Sequence, residues 1–271
     1  MYEEIKATGD VSCWVESYWE AAPAQGCYLP PDGTAHLLFL PQGGRLRGMS
    51  LAAGFYLLPL QATALLLEPV GRLLGVRVKA FAMPLLQKSP LLSMMPDVGW
   101  RLSPQSTVSR YLCEAWAMDM PLQQMGGLWE LLCEELWAQG RSFWSGSLRD
   151  KVNYILFQRG EISIDEMAKS FAISRQRLHQ IFSAALHISP KTLANIWQSN
   201  HFLALLQPQQ SLTHSALEAG YYDQAHGTHA FRAHFGCTPS EWLQGQPHPS
   251  WDFARRCIIK RFDNGYDPSP K

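Results

Sequence analysis

Apolar and polar positions alternate in two different textures along this chain, and the change falls near residue 105. Up to that point, short apolar runs such as His36-Leu37-Leu38-Phe39-Leu40 and Leu74-Gly75-Val76-Arg77-Val78 are separated by breakers: Pro30-Pro31-Asp32-Gly33, Gly43-Gly44, Gly48, Gly54, Pro59, Pro69 and Gly71. Runs of that length between turn residues predict a compact, mostly β domain over residues 1–105. The leucine-rich runs leave helix as the alternative, because so few residues do not define a period. Within this region Arg77 and Lys79 alternate with Val76 and Val78 as on a half-exposed strand. Pro31-Asp32-Gly33 reads as a turn.

From Thr107 the texture is helical. Thr107–Met120 is one candidate helix, and Leu128–Trp137 is a stronger one, with Leu128, Leu131, Leu132, Glu135 and Leu136 near one stripe. Residues 106–146 are therefore expected to form a helical linker, either exposed for dimerisation or packed on the preceding domain. Gly140–Gly146 (GRSFWSG) reads as its flexible end. Helical patterning resumes and fills 147–243, and 244–271 reads as a tail in which Trp251, Phe253, Ile258 and Ile259 are the anchoring candidates. The fold class expected is α+β.

Within 147–243 a pattern occurs twice. In the first copy Ile164, Met167 and Ala168 line one face of a short helix, Phe171–Ile173 form a turn, and Ser174 is placed to cap a second helix. Leu178, Ile181 and Phe182 then point inward, which leaves Gln176, His179 and Gln180 on another face. The second copy has a helix ending at Gly220, Asp223 or a neighbour as cap, and a following helix with Phe231 inward and Gln224, Ala225, Thr228 and His229 outward. A helix, a tight turn and a second helix with an exposed polar face is the arrangement that enters a major groove. Glutamine suits adenine there in particular.

At Ile173-Ser174 through Phe182, followed by Ile188-Ser189-Pro190, and at Gly220-Tyr221-Tyr222-Asp223-Gln224-Ala225-His226 through Phe231-Arg232 and Phe235-Gly236-Cys237-Thr238-Pro239-Ser240, the chain resembles the AraC/XylS family of bacterial transcription regulators. The resemblance covers the C-terminal part only. It implies two helix-turn-helix subdomains joined by one helix, a sequence-specific DNA-binding activator or repressor, and double-stranded DNA as partner. Carried onto this chain, the DNA contacts are Ser174, Arg175, Gln176, Arg177, His179 and Gln180 in the first unit, and Gln224, Ala225, Thr228, His229 and Arg232 in the second. Tyr18-Trp19, Leu29-Pro30-Pro31-Asp32-Gly33 and Leu74-Gly75-Val76-Arg77 resemble the small β sensor domain of one subgroup. That likeness implies a cupin-like or related architecture that senses a small-molecule effector or partner; RNA polymerase and a second copy of the chain are further expected partners.

This chain departs from the family at Gly227, where a bulky apolar residue is usual, and at His229, where arginine is common. Gln198 stands near another position often held by arginine. Gly227 implies a cost of about 1 kcal/mol in helix propensity, together with a lost core contact. Charge bears on function as well. The chain has 23 Lys plus Arg and 23 Asp plus Glu. Leu148–Leu243 holds 8 Lys plus Arg, 7 Asp plus Glu and seven histidines, a net of about +1. So little positive charge supports a competing reading, a degenerate helix-turn-helix protein that binds another regulator or the polymerase.

Other chemistry finds little support. The six cysteines are widely spaced, and no ligand set accompanies them. His226, His229 and His234 do not define a metal site, and no metal or cofactor is expected. Gly-x-Ser-x-Gly and phosphate-cradling glycine motifs are absent, so no enzyme is expected. No signal-like N-terminal stretch or bilayer-length apolar run occurs, and the expectation is a cytoplasmic protein that does not enter a membrane.

Overall fold

The computed structural model describes residues 2–23, 26–69, 71–104, 106–138, 146–244 and 258. The expected linker Gly140–Gly146, apart from Gly146, and the expected tail 244–271, apart from Gln244 and Ile258, lie outside the described residues. The chain divides into two units. The first comprises Met1–Gly26, Thr34–Pro59 and Leu66–Ser145, and the second Cys27–Gly33, Leu60–Leu65 and Gly146–Lys271.

The described strands are β1 (Tyr2–Lys6), β2 (Val15–Ala21), β3 (Cys27–Leu29), β4 (Thr34–Leu40), β5 (Gly44–Leu46), β6 (Met49–Leu51), β7 (Gly54–Leu58), β8 (Leu65–Pro69), β9 (Leu73–Lys79), β10 (Leu92–Met95) and β11 (Gly99–Leu102). Seven of them form an antiparallel sheet in the order β1-β2-β9-β4-β7-β11-β10. In the smaller sheet β5 pairs antiparallel with both β6 and β8. The mostly β region expected before residue 105 is therefore present, and with the helices that follow the chain is α+β.

The interior strands β4 and β9 are buried nearly end to end, as strands with neighbours on both edges and cover on both faces should be. This overturns the reading of β9 as half-exposed. Arg77 is fully buried, and its guanidinium donates to Glu4 Oε1 at 3.0 Å, a carboxylate that also accepts from the Ser17 hydroxyl at 2.5 Å. The partner comes from an edge strand far away in sequence, so alternation along β9 alone could not reveal it.

A single-turn helix α1 (Met83–Leu86) precedes α2 (Thr107–Ala117) and α3 (Leu122–Ala138), and all three belong to the first unit. Ser106 caps α2 by accepting from Ser109 N–H. Residues 106–138, expected to form a linker, pack as part of this unit: α3 buries Met125, Trp129, Leu132, Cys133, Leu136 and Trp137. Trp129 meets Phe55 of the sheet edge-on, with ring centroids 5.9 Å apart. The helix is rotated from the expected stripe, leaving Leu131 52% exposed and Leu128 half-buried. Trp129 and Trp137 carry more apolar area than leucines, and the rotation that buries both is favoured.

The second unit contains seven described helices: α4 (Gly146–Phe157), α5 (Ile164–Ser170), α6 (Arg175–Leu186), α7 (Pro190–Leu205), α8 (Leu212–Glu218), α9 (Gln224–Phe235) and α10 (Pro239–Leu243). Helix α7 is its axis and buries Leu193, Ala194, Ile196, Trp197, Phe202 and Leu203. Two segments from earlier in the chain belong to this unit. Asn200 Nδ2 donates to the Pro31 carbonyl at 2.8 Å, and His234 bonds through Nδ1 to the Ala62 carbonyl at 2.7 Å. Ala64 N–H returns a bond to the His234 carbonyl. Burial pushes the His234 ring below the ordinary histidine range, and the Ala62 carbonyl offsets part of that push. No helix among the described residues is long and apolar enough to cross a membrane.

Candidate nucleic-acid interface

Each half of the site is built from a short helix, a left-handed turn and a capped second helix. In the first half α5 starts at Ser163, whose hydroxyl accepts from Glu166 N–H, and it ends at Phe171. Ala172 then takes φ 51°, and Ile173 N–H bonds back to the Ala168 carbonyl. Ser174 caps α6 by accepting from Arg177 N–H at 3.1 Å. In the second half Gly220 takes φ 78°, Tyr221 N–H bonds back to the Ala216 carbonyl, and Asp223 caps α9 by accepting from His226 N–H at 2.7 Å.

The exposed faces follow from these caps. On α6, Leu178, Phe182 and Leu186 are buried, and Arg175, Gln176, Arg177, His179 and Gln180 are exposed, as is the cap Ser174. On α9, Gly227, Phe231 and Phe235 are buried, Gln224, Ala225, His229 and Arg232 are exposed, and Thr228 is half-buried. A cleft of about 320 Å³ opens beside α6 among Ser163, Asp165, Arg175, His179, Ser189 and Lys191. Arg175 lies 3.7 Å from Asp165 across exposed surface, a pairing worth little in water and readily exchanged for a phosphate. Lys191 was not singled out in the sequence, where nothing links the start of α7 to α6.

The two halves are held by α7. Gln198 is turned inward, where its Nε2 donates to the Ala219 carbonyl at 3.1 Å and so satisfies the end of α8. Ser199 shares a 3.0 Å hydrogen bond with the Tyr221 hydroxyl; burial pushes the tyrosine pKa up to about 12, and the Ser199 bond offsets part of that push. Phe202, Tyr221, Phe231, Phe235 and Trp242 form the aromatic core behind α9.

Gly227 departs from its expected effect. It occupies the buried first-turn position that Leu178 fills in α6, yet no core contact is lost there. A Cβ at Gly227 would lie 3.1 Å from Ala216 Cβ and 3.2 Å from ring carbons of both Phe202 and Tyr221. Two residues separate Gly220 from the Asp223 cap, whereas one separates Ala172 from Ser174, and the longer turn lets the Tyr221 ring fill the space a larger side chain would take. Gly227→Ala is therefore expected to lower stability by about 1 kcal/mol in urea unfolding. Overpacking against two rings, at roughly 1–3 kcal/mol, outweighs the gain of about 1 kcal/mol in helix propensity. A stabilised variant would show that the rings yield.

His226 stands edge-on to Tyr221 with centroids 5.2 Å apart, His234 faces Ala62, and among the described residues no group of three His, Cys, Asp or Glu could hold a metal ion.

The two capped helix-turn-helix elements share one connecting helix, and comparison with known proteins places this domain more closely. The family of the helix-turn-helix domain matches residues 167–245, and this part of the chain is a helix-turn-helix domain of the AraC type. The chain is 28% identical over 91 residues to the HTH-type transcriptional regulator ExsA of Pseudomonas aeruginosa, covering 32% of this chain and 31% of that protein. It is 23% identical over 125 residues to the bifunctional transcriptional activator/DNA repair enzyme Ada of Escherichia coli, covering 43% of this chain and 35% of that protein. The matched stretch thus spans about a third of the length of these curated relatives. Among solved structures, ToxT from Vibrio cholerae is similar over 90% of this chain and 98% of its own, with a TM-score of 0.49 and 10% identity.

Proposed function

We propose that this protein is a transcription regulator whose α6 and α9 lie in successive major grooves of one DNA face. The observation that carries the reading is the pair of exposed polar faces, Gln176, His179 and Gln180 on α6 and Gln224, Ala225, Thr228 and His229 on α9, mounted on the buried helix α7. Ser174, Arg175, Arg177 and Arg232 flank these faces and are assigned to the phosphate backbone, by N-cap and guanidinium chemistry respectively. The first unit has its own core, which suits it to receive a small-molecule effector or a second copy of the chain, with RNA polymerase as the downstream partner. We place the protein in the cytoplasm.

Selecting bound fragments from genomic DNA and titrating the best of them across salt concentrations tests this. Sequence-specific binding with a salt slope of a few phosphates is expected. Gln176→Ala and Thr228→Ala should each relax one base position by about 1–3 kcal/mol and leave the salt slope unchanged. A second reading rests on the charge balance of about +1 over Leu148–Leu243. It makes the same faces a protein-docking surface, and then no fragment would be enriched.

A further inference from the structure

Gln224 opens α9 on its exposed face, yet its carboxamide is tethered. Thr213 in the first turn of α8, also exposed, donates its hydroxyl to Gln224 Oε1 at 2.7 Å. Both ends of this bond sit on fixed helices, because Gly227 lets α9 close on Ala216 of α8 and Asp223 holds the first turn of α9. Among the described residues, no such tether holds Gln176 or Gln180 on α6.

A glutamine side chain offers one acceptor oxygen and an amino group with two donors. To read adenine it uses both halves, accepting from N6 and donating to N7. With the oxygen turned back onto α8, the half of Gln224 that faces out is the amino group. Guanine presents two acceptors to it, N7 and O6, whereas adenine presents one acceptor and a competing amino donor. We propose that Thr213 is a positioning residue that makes Gln224 a reader of guanine, while the untethered glutamines of α6 keep the capacity to read adenine. This inference rests on the DNA-binding reading above.

The test uses the full chain and duplexes derived from its selected fragment, with each of the four bases placed in turn at the position that responds to Gln224→Ala. The wild type is expected to prefer guanine over adenine there by about tenfold, and 7-deazaguanine should remove most of that preference. Thr213→Val, which keeps the shape and loses the hydroxyl, should shift the preference toward adenine. Thr213→Ser should retain guanine, and preferences at positions read by α6 should not move. A wild type that prefers adenine, a guanine-to-adenine ratio unchanged in Thr213→Val, a uniform loss of affinity in that variant, or no position that responds to Gln224→Ala would each overturn the inference and leave DNA binding standing. If the wild type selects no sequence, the DNA-binding reading itself falls, and this inference falls with it.

Discussion

Gly160→Ala is expected to destabilise the helical unit by about 3 kcal/mol or more and to remove most of its DNA affinity, from a change of one methyl group. Gly160 ends the turn after α4 at φ 81°, directly after Arg159 at φ 51°, and its N–H bonds to the Ile155 carbonyl at 2.9 Å. A Cβ there would land on the Ala194 carbonyl oxygen and lie 2.6 Å from the Gln198 amide nitrogen. Both are backbone atoms of α7 held in its helical ladder, so no rotamer change relieves the clash, and the helix itself must shift. Since α7 connects the two helix-turn-helix elements, its shift alters the spacing of α6 and α9 as well as the core. Gly236→Ala is the control: Gly236 has φ 73° at the end of α9, but a Cβ there would meet nothing within 4 Å. That variant bears left-handed strain alone, about 1 kcal/mol, and the excess in Gly160→Ala reports the packing term. Urea unfolding of both variants, followed by binding to the selected fragment, checks this. Equal losses would mean that α7 accommodates the methyl group.

The helix-turn-helix elements were legible in the sequence because everything that forms them is local. Ser174 and Asp223 accept from N–H groups three residues on, and Gly220 takes the left-handed turn that its missing Cβ allows. What covers each face was not legible. Arg77 looked half-exposed until the edge strand β1 brought Glu4 to it. The sequence pattern runs the stripe on α3 through leucines, whereas the packed helix buries the two tryptophans, Trp129 against Phe55 and Trp137 against Trp14. The segments Cys27–Gly33 and Leu60–Leu65 fall inside the β domain expected over residues 1–105, and no periodicity indicates that Asn200 and His234 bind their carbonyls. The same holds within the candidate site. The outward positions of α6 and α9 follow from a period of 3.6, whereas the Thr213 tether and the Tyr221 ring over Gly227 depend on how α8 is set against α9.

The helical unit is also expected to weaken as pH falls from 6.5 toward 4, through His201. This residue is buried on α7, and its Nε2 lies 3.1 Å from a guanidinium nitrogen of Arg159. A guanidinium only donates, so Nε2 accepts and the ring is neutral in the folded protein. Burial and then the Arg159 charge push the ring from an ordinary 6.5 down to about 4, with Glu218 pulling weakly the other way. Between those values the unfolded chain binds a proton that the folded chain does not, so stability rises with pH across the window and is lost as pH falls through it. Over the whole window that amounts to about 3 kcal/mol, and about 2 kcal/mol of it separates pH 7 from pH 5. His234, also depressed by burial, adds to the slope in the same direction. Urea unfolding at pH 7 and pH 5 measures the difference. His201→Gln keeps a side chain that can accept from Arg159 and cannot titrate, so it should remove most of the pH dependence while costing little at pH 7. If the variant keeps the wild-type slope, His201 is not the group responsible. If the loss at pH 5 disappears, the connecting helix is the acid-sensitive element, and DNA binding at pH 5 should recover in the same variant.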